Sequence, residues 1–259
     1  RPVKKADWHT LRIYKATEAA NGLIVLHGVQ ASEIQDVTKS QNLKIEFIGN
    51  SITCGMGNDA GDIPCGRNKW YDQHNAYWSY AAITARSLGA DFMLSSVSGA
   101  GIYRNWNSDG PTLPQLYESA YLNIDSTMKW DFTSWIPDVV VIALGTNDLS
   151  DGDGEKPRLP FDSTAFIYEY AGFISTIYSH YPDARFVLLS SPMIPAVKSD
   201  LLLKCLESVK KLSELQHPTQ KEISVFRFDS VTSSGCSGHP TIAEHKQMAD
   251  QLIPFMKSE

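Results

Sequence analysis

From about Asn42 onward, short apolar runs alternate with helix-periodic segments, and this alternation limits the fold more tightly than any other feature of the sequence. The strand candidates are 43–48 (LKIEFI), 91–97 (DFMLSSV), 138–144 (DVVVIAL), 185–190 (RFVLLS) and 223–228 (ISVFRF), each short and bounded by Gly, Pro, Ser or Asp. Between them, residues 75–88 (NAYWSYAAITARSL) stop at Gly89, a C-cap residue, while Phe166, Tyr170, Phe173, Ile174 and Ile177 recur at helical spacing. A third helix runs through 199–215, and a last one opens at Pro240 with Ile242, Ala249, Leu252, Ile253 and Met256 on one face. Helical crossovers pair successive strands in parallel. Residues 42–259 are therefore expected to form an α/β fold, a three-layer α/β/α sandwich around a doubly wound, five-stranded parallel sheet.

Residues 1–41 read differently. "WHTLRIYKAT" and "GLIVLHGVQAS" resemble two β segments separated by the turn-like "EAANG", with no crossover helix between them. Two strands do not make a stable domain alone. The region is expected to be the C-terminal remnant of an antiparallel accessory domain plus a linker, the earlier strands being absent from this chain or supplied by another.

Composition excludes several kinds of function. Of 259 residues, 42% are hydrophobic and 20% charged, as in an ordinary soluble globular protein. A formal net charge of -6 and the lack of any Lys/Arg run argue against nucleic-acid binding and against a polyanionic substrate. No apolar run reaches the ~18 to 20 residues of a membrane span. "RPVKKADWHTLR" lacks the apolar core of a signal peptide, but a chain that begins at Arg1 reads as a mature or trimmed form. Cys54, Cys65, Cys205 and Cys236 include no CxxC pair; Cys54 and Cys65 could close a short loop, and the other pairings stay open.

In a doubly wound sheet ligands gather at the carboxyl ends of the strands. "KIEFIGNSITCG" delivers Ser51 there after the first strand, "SVSGAG" delivers Gly99 and Gly101 after the second, "GTND" delivers Asn147 and Asp148 after the third, and "GCSGHP" brings His239 ahead of the last helix. That set is what acyl transfer from an ester requires. A serine hydroxyl is a poor nucleophile until an imidazole takes its proton, and the same imidazole then protonates the leaving alkoxide. The oxyanion of the tetrahedral intermediate needs preorganised donors, which a serine amide, a glycine amide and an asparagine side chain supply.

The blocks "IGNSITCG", "SVSGAG", "GTND" and "HP" before a helix resemble, in order, the four signature blocks of the GDSL/SGNH hydrolase superfamily, over roughly residues 43–257. "GNSIT" stands in place of the commoner Gly-Asp-Ser-Leu, as in carbohydrate-active branches. The resemblance implies a flavodoxin-like SGNH fold with Ser51 as nucleophile, His239 as general base, the Ser51, Gly99 and Asn147 groups as the oxyanion hole, and no metal or organic cofactor. Together with "YKATEAANGLIVLHGV" and "GHPTIAEH", the blocks also resemble carbohydrate esterase family 2, whose members join an N-terminal β jelly roll to an SGNH domain and remove acetyl groups from plant polysaccharides. What this implies is an acetylxylan or acetylglucomannan esterase, secreted or periplasmic, with residues 1–41 as the last strands of a jelly roll whose remainder lies in the same or another chain.

SGNH enzymes usually place Asp three residues before the histidine; here that position is Cys236. The resemblance permits a Ser–His dyad, with a backbone carbonyl in the place of the carboxylate fixing the tautomer. Competing readings remain: Ser51 as an ordinary helix N-cap, Asn147 as a turn residue, Asp148 as a structural residue holding the loop, and His245, like the other histidines, as a surface or packing residue. "SGAGIYR" is a broken dinucleotide fingerprint with Arg104 at its third glycine position, and the acidic stretch 148–157 has Lys156 where a calcium loop needs glycine, so it reads as a solvated loop. Trp70, Tyr71, Tyr103 and Trp106 are candidates for a sugar-stacking platform, against the alternative of core and strand-end packing. A lipid or thioester hydrolase, and a carbohydrate-binding module with a vestigial site, are the alternative functions.

Overall fold

The computed structural model describes residues 8–35, 42–123 and 127–258. Its elements run β1 (Lys44–Gly49), α1 (Ser51–Cys54), α2 (Tyr80–Ser87), β2 (Asp91–Ser96), α3 (Leu113–Leu116), β3 (Val139–Ala143), α4 (Ser163–His180), β4 (Arg185–Leu189), α5 (Ala196–Gln216), β5 (Ser224–Phe226) and α6 (Ile242–Ser258). The strands form one parallel sheet in the order β2-β1-β3-β4-β5.

Both faces of the sheet are covered, which is why the strands read as unbroken apolar runs. Successive side chains point to opposite faces. Val139, Val141, Val187 and Leu189 meet Tyr80 and Ala81 of α2 and Met248 and Leu252 of α6. Val140, Ile142, Phe186 and Leu188 meet Phe166 and Tyr170 of α4 and Leu202 and Leu206 of α5. The chain leaves β1 for β2 on one side and then returns to pair β3 on the other. The carboxyl ends of β1 and β3 therefore flank the point where the winding reverses, the usual place for a ligand crevice.

Two helix starts differ from expectation. Residues 75–88 divide into a 3-10 turn, Ala76–Trp78, and α2, because Ser79 adopts an extended conformation and accepts a hydrogen bond from the Ala82 N–H as an N-cap. Pro240 precedes α6 rather than opening it. Thr241 and Glu244 form a capping box, Glu244 Oε2 accepting from the Thr241 N–H at 2.7 Å and Thr241 Oγ1 from the Glu244 N–H at 3.3 Å.

The expected jelly-roll strands do not form among the described residues. Among the described residues 8–35 there is no strand, only a 3-10 turn at Ala19–Asn21; the rest of the 1–41 region lies outside the described residues. A strand exists only through a neighbour that takes its N–H and C=O groups, and two short extended segments present each other too little apolar surface to hold a pair. Leu11, Ile13, Leu23, Val25 and Leu26 are accordingly exposed. The segment does dock at several points, among them Ala16 O, which accepts the Ala76 N–H at 2.7 Å, the Tyr14 ring, which stacks on Phe92, and the Glu18 carboxyl, which accepts the Ser98 N–H.

One buried carboxyl breaks the apolar pattern of the sheet. Glu46 of β1 has no exposed surface; Oε1 accepts from Ser95 Oγ at 2.6 Å and Oε2 from the Tyr117 hydroxyl at 3.0 Å. Burial raises its pKa to about 7 against the pull of those two donors. The protonated acid is thus the form the fold favours. Its contribution is complete below about pH 4.5 and is lost as pH rises toward about 7. Glu46→Gln, neutral at every pH, is expected to gain stability relative to wild type between pH 5 and pH 8, by up to about 3 kcal/mol. Urea midpoints at the two pH values check it, and a pH-independent difference would contradict it.

Candidate active site

Ser51 begins α1 at the carboxyl end of β1 and is 8% exposed. The capping duty belongs to its neighbour: Asn50 Oδ1 accepts the Ile52 N–H at 3.1 Å, so the Ser51 hydroxyl is not spent on the helix. It is spent on His239, whose Nε2 lies 2.8 Å from Ser51 Oγ.

The imidazole is oriented from behind. His239 Nδ1 lies 3.1 Å from the Ser237 carbonyl, and because a carbonyl only accepts, Nδ1 carries the proton and Nε2 is free to accept from the serine. The carbonyl reaches this position because Ser237 takes a left-handed conformation, φ 55°, within the short 3-10 turn Cys236–Gly238. Cys236, in the position where a carboxylate was missed, is disulfide-bonded to Cys65, while its N–H donates to Gly57 O at 2.9 Å. The Cys54–Cys65 pairing considered from sequence does not form, since Cys54 is buried as a free thiol. Burial lowers the pKa of His239, with the carbonyls of Ser237 and Cys236 acting in the opposite sense.

Gly99 follows β2 in a loop that only glycine suits, with φ 79°. Asp148 braces that loop from below: its carboxylate accepts the N–H groups of Ile102 at 3.0 Å, Tyr103 at 3.0 Å and Arg104 at 3.3 Å. Gly101 allows the approach, since a Cβ there would sit 2.8 Å from Asp148 Oδ2. Asp148 is thus the structural residue read from sequence. Asn147 Nδ2 donates to Ala100 O at 2.7 Å, which engages one of its two N–H groups and keeps the amide beside Gly99. Arg158, which no motif singled out, ties the two loops by donating to the carbonyls of Asn147 and Asn105.

Ser51, Gly99, Asn147 and His239 line a single open cavity of about 1060 Å³. Trp70 and Trp106 stand on its wall, 54% and 46% exposed. Tyr71 and Tyr103 do not line it. Tyr71 packs edge-on to Trp70, and Tyr103 packs against Phe161 while its hydroxyl accepts the Asp162 N–H. Met193, Ile194 and Lys198, at and before the start of α5, complete the wall; side chains after a strand with no polar motif gave no signal in the sequence. His245 is fully buried, Nδ1 accepting the Tyr80 N–H, and burial pushes its pKa down to about 3. Among the described residues no cluster of His, Cys, Asp and Glu has the arrangement of a metal site.

A parallel doubly wound sheet that delivers a Ser–His pair to its switch point, beside a glycine loop and an asparagine, defines the SGNH class of hydrolase folds. The chain belongs to the GDSL-like lipase/acylhydrolase family, whose model matches residues 47–217. It is 33% identical over 257 residues to the cellulase/esterase CelE of Acetivibrio thermocellus, covering 97% of this chain and 30% of that protein. To an acetylxylan esterase/glucomannan deacetylase of Cellvibrio japonicus it is 27% identical over 259 residues, covering 97% of this chain and 69% of the relative. Among solved structures, a family two carbohydrate esterase from Clostridium thermocellum in complex with cellohexaose superposes with a TM-score of 0.75 and 32% identity, over 87% of this chain and 67% of that one. The chain thus spans less than a third of the CelE relative, and it closely resembles carbohydrate esterases of family 2. No helix among the described residues is long and apolar enough to cross a membrane.

Proposed function

We propose that this chain is a serine esterase that removes O-acetyl groups from plant polysaccharide or oligosaccharide, of the acetylxylan or acetylglucomannan type. The observation that carries the reading is the 2.8 Å contact between Ser51 Oγ and His239 Nε2 at the floor of the open cavity. Ser51 Oγ attacks the acetyl carbonyl as Nε2 takes its proton. The oxyanion is held by the amides of Ser51 and Gly99 and the free N–H of Asn147 Nδ2. Collapse expels the sugar oxygen, which takes the proton from the imidazolium, and water activated by the same Nε2 then releases acetate and restores the serine. No metal or organic cofactor enters any step.

A carbohydrate substrate is supported by the relatives' own activities and by Trp70 and Trp106 on the cavity wall, whose faces suit sugar rings. An extracellular or periplasmic site of action is supported by the Cys65–Cys236 bond, which persists in oxidising surroundings. The exposed apolar side chains of residues 8–35 support contact with a β-sandwich segment in the same or another chain. The test is release of acetate from acetylated xylan, acetylated glucomannan and 4-nitrophenyl acetate. No release from any of them by folded protein would overturn the reading, and binding of cellohexaose without turnover would replace it with a binding module.

The base must be neutral to work, and burial lowers the pKa of His239. Activity is therefore retained below the ordinary imidazole value of about 6.5 and lost only as pH falls through the lowered pKa. A kcat/KM profile on 4-nitrophenyl acetate is expected to place its acid limb below about pH 6.5; a limb above it would contradict the assignment.

A further inference from the structure

We propose that Glu18, from the segment ahead of the sheet, is a positioning residue for the oxyanion hole. The inference rests on the esterase reading above and adds to it a residue outside the matched span 47–217.

Glu18 is only 6% exposed, and its Oε2 accepts the Ser98 N–H at 2.6 Å. Ser98 is the residue before Gly99, so this bond fixes the peptide unit immediately ahead of the one that carries the proposed Gly99 donor. The same oxygen accepts from Cys54 Sγ at 3.3 Å. Cys54 closes α1, the helix that Ser51 opens. A single carboxylate oxygen thus links the helix of the nucleophile to the loop of the donor.

Gly99 and Ala100 lie between two carboxylate clamps. Asp148 holds the downstream N–H groups of Ile102, Tyr103 and Arg104, and Glu18 holds the upstream N–H of Ser98. Glycine at φ 79° has little stiffness of its own, so the direction of its N–H is set by what grips the chain on either side. Glu18 is itself anchored. Its carbonyl accepts from Lys15 Nζ and from the Asn21 N–H, and the preceding turn is pinned where Ala16 O receives the Ala76 N–H. Glu18 does not line the cavity, so its action on substrate passes through the loop.

The test compares kcat and KM on 4-nitrophenyl acetate, with thermal melts, for wild type, Glu18→Ala, Glu18→Gln and Glu18→Asp. Full removal of an oxyanion donor costs about 10² to 10³ in kcat, and a donor left in place but unclamped is expected to cost roughly 10- to 30-fold with KM changed less than about two-fold. Gln keeps an acceptor at the right reach and is expected to recover to within about three-fold of wild type, whereas Asp keeps the charge, withdraws the oxygen by one methylene and stays low. Glu18→Asp carries the test should the alanine variant fail to fold. A kcat within two-fold of wild type for Ala and Asp overturns the proposal, as does a loss that follows the melting temperature and is not restored by Gln. Wild-type protein without ester turnover would overturn the esterase reading and this proposal together, whereas an active wild type with indifferent Glu18 variants overturns this proposal alone.

Discussion

Replacing Ser51 or His239 by alanine is expected to lower kcat for acetyl-ester hydrolysis by about 10⁴-fold or more, and the double variant is expected to be no worse than either single one. The reason is geometric. With Nε2 2.8 Å from Oγ, neither group has a second partner for the proton transfer, so the pair acts as a unit. Ser237→Ala makes the control, because the imidazole is held by the Ser237 backbone carbonyl, which that substitution keeps. Its loss should be a small fraction of the His239→Ala loss, with both proteins checked for folding by circular dichroism. Equal losses would mean that a side chain, not the carbonyl, orients the base.

The second large effect belongs to Asn147. Asn147→Ala is expected to lower kcat by about 10² to 10³ with KM nearly unchanged, since an oxyanion donor strengthens its bond as charge develops on the carbonyl oxygen. Asn147→Asp should be worse. It sets a carboxylate oxygen against the Ala100 carbonyl, which Nδ2 now meets at 2.7 Å, and another toward the forming negative charge. A rise in KM matching any fall in kcat/KM would indicate ordinary ground-state binding.

What the sequence revealed and what it withheld divide along physical lines. The strands were legible because a sheet covered on both faces demands runs such as VVVIA, and their ends located Ser51, Gly99 and Asn147 without any knowledge of the strand order. Asp148 was legible as a brace because its place after a turn leaves it little else to do. The orienting partner of His239 was only half legible, because a backbone carbonyl has no letter in a sequence. Cys65 gave no sign of its partner, which lies 171 positions away. Glu18 and Arg158 were silent for a similar reason: each grips main-chain atoms of a distant loop, and no periodicity records that. The two N-terminal β segments form no strand among residues 8–35, because β-like composition reports a capacity to pair, while pairing itself depends on a neighbour.

The Cys65–Cys236 bond turns everything from β2 to β5 into a closed ring, with the serine on one arm leaving it and the histidine on the other. Closing a loop of this length removes freedom from the unfolded chain worth about 5 kcal/mol. It also changes what a cut does. A protease that severs a surface loop within the ring, such as the exposed stretch at 153–157, leaves no free fragment, and the two arms stay joined beside each other. The bond thus makes a single nick within the ring a local break, with Ser51 and His239 still carried on one covalent molecule.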